Sequence, residues 1–216
     1  MQQRHALTQL TTVGAEQAGF VTTRQAEQVG VKAWLLADLE RRGHLRRTHR
    51  GVYLFELGRA SHPQEELISA WLAIDGDRLP WKRADDVAAI VSHASAAALQ
   101  ELSTIIPTLP EITQARQKSR RDEMRLHVAR FTREDWEWRA LEGVRLPVST
   151  PARTIVDLLL GGEELDYLER ATRKAFPLPA EANAKLEAAA RRRLQRPGRL
   201  LEDVHRLCEN AWSVAT

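Results

Sequence analysis

The 216-residue sequence predicts an α+β protein with two domains. Three observations support this fold class. Apolar residues recur at helical spacing over the first 45 residues, short alternating segments predict strands in the middle, and the chain after Pro151 is helical throughout. Because His62-Pro63 interrupts extended and helical structure alike, we place the domain boundary there, with domains at residues 1–60 and 62–216.

Composition limits the class of protein. The apolar fraction of 43% and the charged fraction of 28% are ordinary for a globular protein. A single cysteine, Cys208, excludes an internal disulfide and a multi-cysteine zinc site. The longest apolar stretch, residues 155–160, is far shorter than the roughly 20 residues of a membrane-spanning helix, and the N-terminus lacks a secretory signal. We expect a soluble, cytoplasmic protein without a cofactor.

The charge is distributed unevenly along the chain. Residues 1–60 carry nine Lys or Arg against five Asp or Glu, residues 61–184 carry sixteen against twenty, and residues 185–206 carry seven against three. Basic segments at both ends indicate an anionic partner. Small imbalances are also common on solvated surfaces, so the positions of the arginines decide between these interpretations.

The N-terminal segment has the pattern of three helices. Residues 4–17 place leucine and valine at helical spacing, and Thr22 with Gln25 forms a capping box that begins a short second helix. Gly30 supplies a turn with positive φ before a third helix over residues 31–42, which ends at Gly43. Two helices joined by such a tight turn are typical of a helix-turn-helix.

A basic hairpin follows the third helix. Leu45, Val52 and Leu54 can face inward from two short strands joined by a turn at His49-Arg50-Gly51. Together with the preceding helices, this hairpin predicts a winged helix-turn-helix at residues 1–60. Five arginines and two histidines fall within residues 41–50, close to the outward face of the third helix.

Arginine at these positions indicates DNA binding. A DNA duplex presents about one phosphate charge per 1.7 Å, and guanidinium groups neutralise it while the third helix enters the major groove. A basic hairpin without a partner, or a winged helix used for protein contacts, remains the alternative, and Trp34 fits packing as well as base contact. The predicted DNA-binding residues are Thr22, Thr23, Arg24, Lys32, Ala33, Trp34, Arg41, Arg42, Arg46, Arg47, His49 and Arg50.

The rest of the chain predicts a mixed α+β domain that ends in helices. A helix over residues 64–74 precedes a buried strand at 88–91, and Ser92 is expected to cap a helix over 93–102. Further strands are expected at 111–114, 125–131, 136–141 and 144–148. Ser149-Thr150-Pro151 begins a helix. The predicted C-terminal helices cover residues 151–160, 163–176, 180–194 and 199–211.

Catalytic and metal-binding motifs are weak. Asp75-Gly76-Asp77 has a spacing that nucleotidyltransferases use to hold magnesium, but the accompanying Gly-Ser phosphate loop is missing. Ser92-His93 resembles a nucleophile and a base, although sequence neighbours seldom face each other in a triad. The seven histidines lack metal-ligand spacing. We therefore expect neither catalysis nor a metal site.

Several motifs resemble the AbiEi-type antitoxins, the transcriptional repressors of abortive-infection (type IV) toxin–antitoxin systems. The matching segments are Gly19-Phe20-Val21-Thr22-Thr23-Arg24-Gln25-Ala26, Gly30-Val31, Leu39-x-x-x-Gly43-x-Leu45, Arg50-Gly51-Val52-Tyr53, Val91-Ser92-His93-Ala94-Ser95-Ala96 with Leu102, and Pro147-Val148-Ser149-Thr150-Pro151-Ala152-Arg153-Thr154-Ile155-Val156-Asp157-Leu158. Each motif is weak by itself, but their order and spacing are fairly specific.

The resemblance implies an antitoxin that represses its own operon through the winged helix and counteracts a nucleotidyltransferase toxin through the C-terminal domain. Its DNA would be double-stranded operator DNA with inverted repeats, which a dimer would match. Two alternatives stay open: an enzyme that modifies the toxin, for example by phosphorylation, and a stand-alone, ligand-responsive transcription factor.

The candidate antitoxic surface is basic. Arg153 lies in a matched motif, where it serves either as an ion-pair partner or as part of this surface. The basic run at the end of the third C-terminal helix is either a solvated helix end or a second electrostatic contact. The candidate residues are Arg153, Arg191, Arg192 and Arg193.

Overall fold

The computed structural model describes residues 2–56, 64–102, 106–116, 122–141 and 143–213. The chain divides into two compact units, Met1–Ala89 with Arg139–Leu146, and Ile90–Trp138 with Pro147–Thr216. The domain boundary expected at residues 61–62 lies outside the described residues. The first unit continues beyond that point, so it is larger than the predicted domain of residues 1–60.

The first unit contains the expected helices and hairpin, which confirms the predicted winged helix-turn-helix architecture. Its elements are α1 (Gln2–Ala15), β1 (Phe20–Thr22), α2 (Thr23–Gln28), α3 (Ala33–Arg41), β2 (Leu45–His49), β3 (Val52–Phe55) and α4 (Glu65–Asp75). A 3₁₀ turn follows at Pro80–Lys82. The capping box joins Thr22 to Gln25 at the start of α2, and Gly30 has a φ of 82°.

Strand β1 was not predicted from the sequence. Phe20–Thr22 pairs antiparallel with β3, placing Val21 opposite Tyr53, and the sheet order is β1-β3-β2. Only three residues long, this segment has no alternation of its own to identify it as a strand. Its extended conformation depends on hydrogen bonds to a strand about thirty residues later in the chain.

The core of the first unit joins the helices to this sheet. It includes Leu10, Val13, Val21, Ala26, Val31, Leu35, Leu36, Leu45, Tyr53 and Leu79, all buried. Helix α4 contacts the hairpin through polar groups as well, because Ser69 lies against the His49 ring and donates a 2.8 Å hydrogen bond to Thr48. These contacts explain why α4 groups with the first unit.

The remaining elements confirm a mixed α+β class with a helical C-terminal end. They are β4 (Ala89–Val91), α5 (His93–Leu99), β5 (Glu111–Gln114), β6 (Arg125–Val128), β7 (Trp136–Leu141), β8 (Val144–Ser149), α6 (Pro151–Leu160), α7 (Leu165–Ala175), α8 (Pro179–Arg193) and α9 (Gly198–Ser213). The second sheet has the order β6-β5-β4-β8-β7, with parallel pairing of β5 to β6 and of β4 to β8. None of the described helices is both long and apolar enough to cross a membrane.

Helix α6 is the central helix of the second unit. The Thr150 side chain accepts a hydrogen bond from the backbone N–H of Arg153, and Pro151 occupies the first turn. Residues 152–158 are all buried. Ile155, Val156 and Leu158 pack with side chains from α7, α8 and α9, so α6 must place its polar residues in the interior as well.

One of those polar residues is Arg153, which has no exposed surface. Its Nε donates a 2.8 Å hydrogen bond to Asp157 one turn later, and its Nη1 lies 3.2 Å from an oxygen of Asp135. The other oxygen of each aspartate accepts a 2.8 Å hydrogen bond from α8, from Arg192 to Asp135 and from Arg193 to Asp157. Among the described residues, three guanidinium groups thus share two buried carboxylates.

This network corrects the predicted antitoxic surface. Arg153 is buried as an ion-pair partner, and Arg192 and Arg193 are turned toward the two aspartates. The sequence placed these arginines at a solvated helix end, but it did not show that buried acids lay beneath that end. Of the predicted set, Arg191 remains exposed, with a 3.4 Å contact to Glu187.

We expect Asp157→Asn to lower the free energy of unfolding by about 3–5 kcal/mol. The substitution removes a charge from beside a fully buried guanidinium, which is costly because water cannot replace the lost partner. Urea denaturation followed by circular dichroism measures this loss. Asp166→Asn is the matched control, because Asp166 forms an exposed pair with Arg170 on α7 and should change stability little. Equal effects of the two variants would contradict the importance of the network.

Candidate functional site

The first turn of α3 presents an exposed surface. Lys32 has an extended backbone at the N-cap position, and Ala33 and Trp34 follow it into the helix. Leu35 and Leu36 point into the core, which leaves the preceding residues on the outer side. Trp34 is 65% exposed, so packing does not account for this tryptophan.

Two hairpin arginines extend into solvent near the turn. Arg47 is paired in register with Tyr53, and its side chain is exposed. Arg50 lies in the turn itself, beside Gly51, whose φ of 77° closes the loop. The turn also contacts α2, since the backbone N–H of Thr23 donates a 2.9 Å hydrogen bond to the carbonyl of Gly51. The position of Arg50 is therefore fixed relative to the helices.

Arg46 has a different role from the one predicted. Its guanidinium forms ion pairs with Glu56 and with Glu65 on α4. These hydrogen bonds, the one to Glu65 first, raise the pKa of Arg46 above its ordinary value. Two carboxylates hold Nε and Nη2 of the guanidinium, so Arg46 joins the hairpin to α4 while its side chain stays 48% exposed.

Thr22 and His49 are also structural, which corrects their assignment to the DNA-binding surface. The Thr22 hydroxyl accepts a hydrogen bond from Gln25 N–H and donates a 2.8 Å hydrogen bond to the carbonyl of Gly76. His49 is only 8% exposed, with its Nδ1 against the Ser69 hydroxyl. Thr23 is half-buried beside the hairpin turn. Two of the three residues are thus buried and the third is partly exposed.

Arg24, Arg41 and Arg42 remain exposed but have acidic neighbours. Arg24 pairs with Asp77, and Arg41 and Arg42 lie 2.9 and 2.8 Å from Asp38. Exposed pairs of this kind contribute little free energy, so a phosphate can exchange for the carboxylate. Lys32, Arg47 and Arg50 are the exposed cations of the predicted set that form no ion pair with a described residue.

A second cluster of polar residues lies on the sheet of the second unit. Glu111 and Thr113 share one face of β5 because alternate side chains of a strand point the same way, and parallel pairing places His127 of β6 opposite Thr113. His93, the first residue of α5, completes the group. One ligand atom each from His93, Glu111 and His127 lies within 4.8 Å of the others.

These three side chains are in direct contact. The His93 and His127 rings stack with centroids 3.5 Å apart and planes 11° from parallel. His127 Nε2 lies 2.7 Å from Glu111 Oε2, while Arg125 lies 3.4 Å from Glu111 Oε1. His93 and Glu111 are each 7% exposed, and the His127 side chain is 24% exposed.

Ser92 supports this cluster and makes no capping hydrogen bond. It occupies the N-cap position of α5, as predicted, but its hydroxyl instead lies 3.0 Å from His93 Nδ1 and accepts a 2.8 Å hydrogen bond from Thr113. Sequence neighbours therefore do face each other here, because His93 has a φ of 50°. Ser92 is fully buried.

Glu111 and His127 were not among the site residues predicted from the sequence, although His93 had been considered. The three residues are spread over 35 positions and come from a helix and two strands, so no short spacing connects them. The available signal was the position of Glu111 and His127 on alternating polar faces of predicted strands. Their pairing register was needed to bring them together.

The first unit thus has the geometry of a winged helix-turn-helix, with a helix and a basic hairpin turn on its surface. A family model described as "Transcriptional regulator, AbiEi antitoxin" matches residues 9–55, which span most of α1 through β3. The match supports the resemblance over this segment, which is similar to AbiEi-type regulators. The motifs at residues 91–102 and 147–158 lie outside the match and stay a prediction. No curated protein matches the chain.

The His93 environment predicts a pH-dependent stability. Burial lowers the pKa of His93 to about 4, against the partial opposition of Asp157 and Glu111. His127 and Arg193 lower the pKa further through like charge. Because the unfolded chain binds a proton at a pKa near 6.5 and the folded chain does not, stability falls as pH drops from about 6.5 to about 4.

We expect His93→Asn to lose part of this pH dependence. Asparagine tolerates positive φ and does not titrate, so the free energy of unfolding should decrease less between pH 6.5 and pH 4 than in the unsubstituted chain. Urea denaturation at several pH values, with EDTA present, measures the difference. His44→Gln, at an exposed position just before β2, is the control and should leave the profile unchanged. Parallel profiles for His93→Asn and the unsubstituted chain would contradict the buried, neutral imidazole.

Proposed function

We propose that this chain is a DNA-binding repressor whose first unit binds double-stranded operator DNA through α3 and the hairpin turn. The observation that carries the proposal is the AbiEi regulator match over residues 9–55. Lys32 on α3 and Arg47 and Arg50 on the hairpin are exposed cations within this matched segment. Guanidinium and ammonium groups bind phosphates on both sides of a groove and release counterions, which supplies most of the affinity.

Base contacts would come from the first turn of α3. In helix-turn-helix proteins, the N-terminal residues of the recognition helix reach the base edges in the major groove. Lys32 can donate to guanine acceptors, and the methyl group of Ala33 can contact a thymine methyl. The exposed Trp34 adds a large apolar surface beside them. Binding to variants of the operator would show which of Lys32, Ala33 and Trp34 recognises the base sequence.

We further propose that the protein acts in the cytoplasm as an antitoxin, repressing its own operon and counteracting a nucleotidyltransferase toxin through residues 62–216. The family description of regulator and antitoxin supports this part. A dimer bound to inverted repeats is the expected form on the operator. Within this proposal, Arg191 is the exposed member of the predicted antitoxic surface, because the guanidinium groups of Arg153, Arg192 and Arg193 bind Asp135 and Asp157.

Salt dependence tests the DNA contact. With Lys32, Arg47 and Arg50 each neutralising one phosphate, log K should fall against log salt with a slope of about −3 per protomer. Replacing Arg47 and Arg50 together by alanine should flatten the slope by about 2. Fluorescence anisotropy with labelled upstream DNA, titrated at several salt concentrations, measures both values.

Two arginine variants provide controls for this measurement. Arg46→Ala should leave the slope nearly unchanged because Glu56 and Glu65 already hold that guanidinium. Arg196→Ala, an exposed residue of the second unit, should behave like the unsubstituted chain. A slope that changes with Arg46 but not with Arg47 and Arg50 would move the contact away from the hairpin turn.

Co-expression tests the antitoxin part and separates it from the enzyme alternative. We expect the full chain to restore growth of cells that express the nucleotidyltransferase encoded beside it. Purified toxin and chain are then incubated with radiolabelled nucleotide. Restored growth without chain-dependent label on the toxin supports a binding role. Label transfer that requires this chain would support an enzyme that modifies the toxin, and absence of any growth effect would favour a stand-alone transcription factor.

A further inference from the structure

We propose that His93, Glu111 and His127 form a binding site for one divalent transition-metal ion, of which Zn²⁺ is the natural probe. Two imidazoles and one carboxylate are a ligand set that suits zinc and leaves a coordination position for water. The ligand atoms come from three separate elements and already lie within 4.8 Å of one another. This site is independent of the DNA-binding surface.

The distances between the three ligand atoms are compatible with metal binding after a movement of the side chains. Zinc–nitrogen and zinc–oxygen bonds of about 2.0–2.2 Å place the ligand atoms of a tetrahedral site roughly 3.3–3.6 Å apart. The cluster therefore needs side-chain rotation and no backbone rearrangement. His127 is the ring that must turn, because stacked imidazoles direct their lone pairs side by side and not to one point. It lies on the edge strand β6 and is the most exposed of the three.

The carboxylate is already oriented for this role. Glu111 Oε1 faces Arg125, while Oε2 faces His127 Nε2 at 2.7 Å. An ion bound between Oε2 and Nε2 displaces the proton of that contact and widens the 2.7 Å separation as His127 turns, while Arg125 stays beside Oε1. Arg125 then acts as the outer-shell partner that orients the ligating carboxylate.

His93 has an equivalent outer shell. Metal-bound histidines usually hydrogen-bond through the ring nitrogen that does not bind the metal, which fixes the ring. His93 Nδ1 is 3.0 Å from the buried Ser92 hydroxyl, and Thr113 donates to that same hydroxyl. Nε2 is the nitrogen that this arrangement leaves to the ion. The fixed backbone at a φ of 50° holds the ring over the sheet.

The test uses the full chain, stripped with EDTA and then titrated with ZnCl₂ against a chromogenic chelator. We expect one high-affinity equivalent of Zn²⁺. Glu111→Gln, His127→Gln and His93→Asn should each weaken binding by at least about 10-fold, the effect expected at minimum from loss of a ligand. His205→Gln is the matched control, because His205 also contacts a carboxylate, Glu187 at 2.6 Å, but lies outside the cluster.

Co²⁺ provides a second readout on the unsubstituted chain. Bound at this site, it should give a visible absorption spectrum that Zn²⁺ abolishes at one equivalent and that His127→Gln alters. Circular dichroism checks that each variant is folded. If His93→Asn does not fold, the Co²⁺ spectrum of the unsubstituted chain and its change in His127→Gln test whether the cluster binds the ion. Absence of a high-affinity equivalent, or binding that His205→Gln removes and the cluster variants do not, would overturn the proposal.

Discussion

The buried guanidinium of Arg153 is the constraint on which the second unit depends. A charge without solvent access is tolerated only where carboxylates surround it, and Asp135 and Asp157 each give it one oxygen. Their remaining oxygens bind Arg192 and Arg193, so α8 is tied to α6 and to the turn before β7 through the same two acids. Apolar contacts pack these elements together, but the ion pairs determine which residues of α6, α8 and the turn contact each other.

Carboxylates also decide which arginines of the first unit can meet a polyanion. Arg46 and Arg47 are neighbours in β2, yet Arg46 binds two glutamates and Arg47 extends into solvent. Adjacent strand residues point to opposite sides, and one side faces Glu65 on α4. A basic hairpin therefore contains both arginines that carboxylates hold, such as Arg46, and exposed arginines that can bind phosphate, such as Arg47. The proposed DNA contact depends on the exposed arginines.

The cluster on the second sheet arises from parallel pairing. Glu111 and His127 approach because β5 and β6 run in the same direction in a fixed register, and His93 approaches because α5 begins directly after β4. Each residue has an ordinary explanation in its own segment. Their combination creates a site with metal-ligand chemistry, buried on one side and open at the edge strand.

The sequence by itself determined the elements whose signals are local. Helix periodicity, the capping box at Thr22, the turn at Gly30 and the proline start of α6 all depend on residues within a few positions, so their physical causes are visible in the chain. Strand β1, the pairing of Arg46 and the burial of Arg153 were decided only by the tertiary structure. In each case the partner group lies on a distant segment, and a side chain's charge does not reveal whether a carboxylate, water or a phosphate will neutralise it.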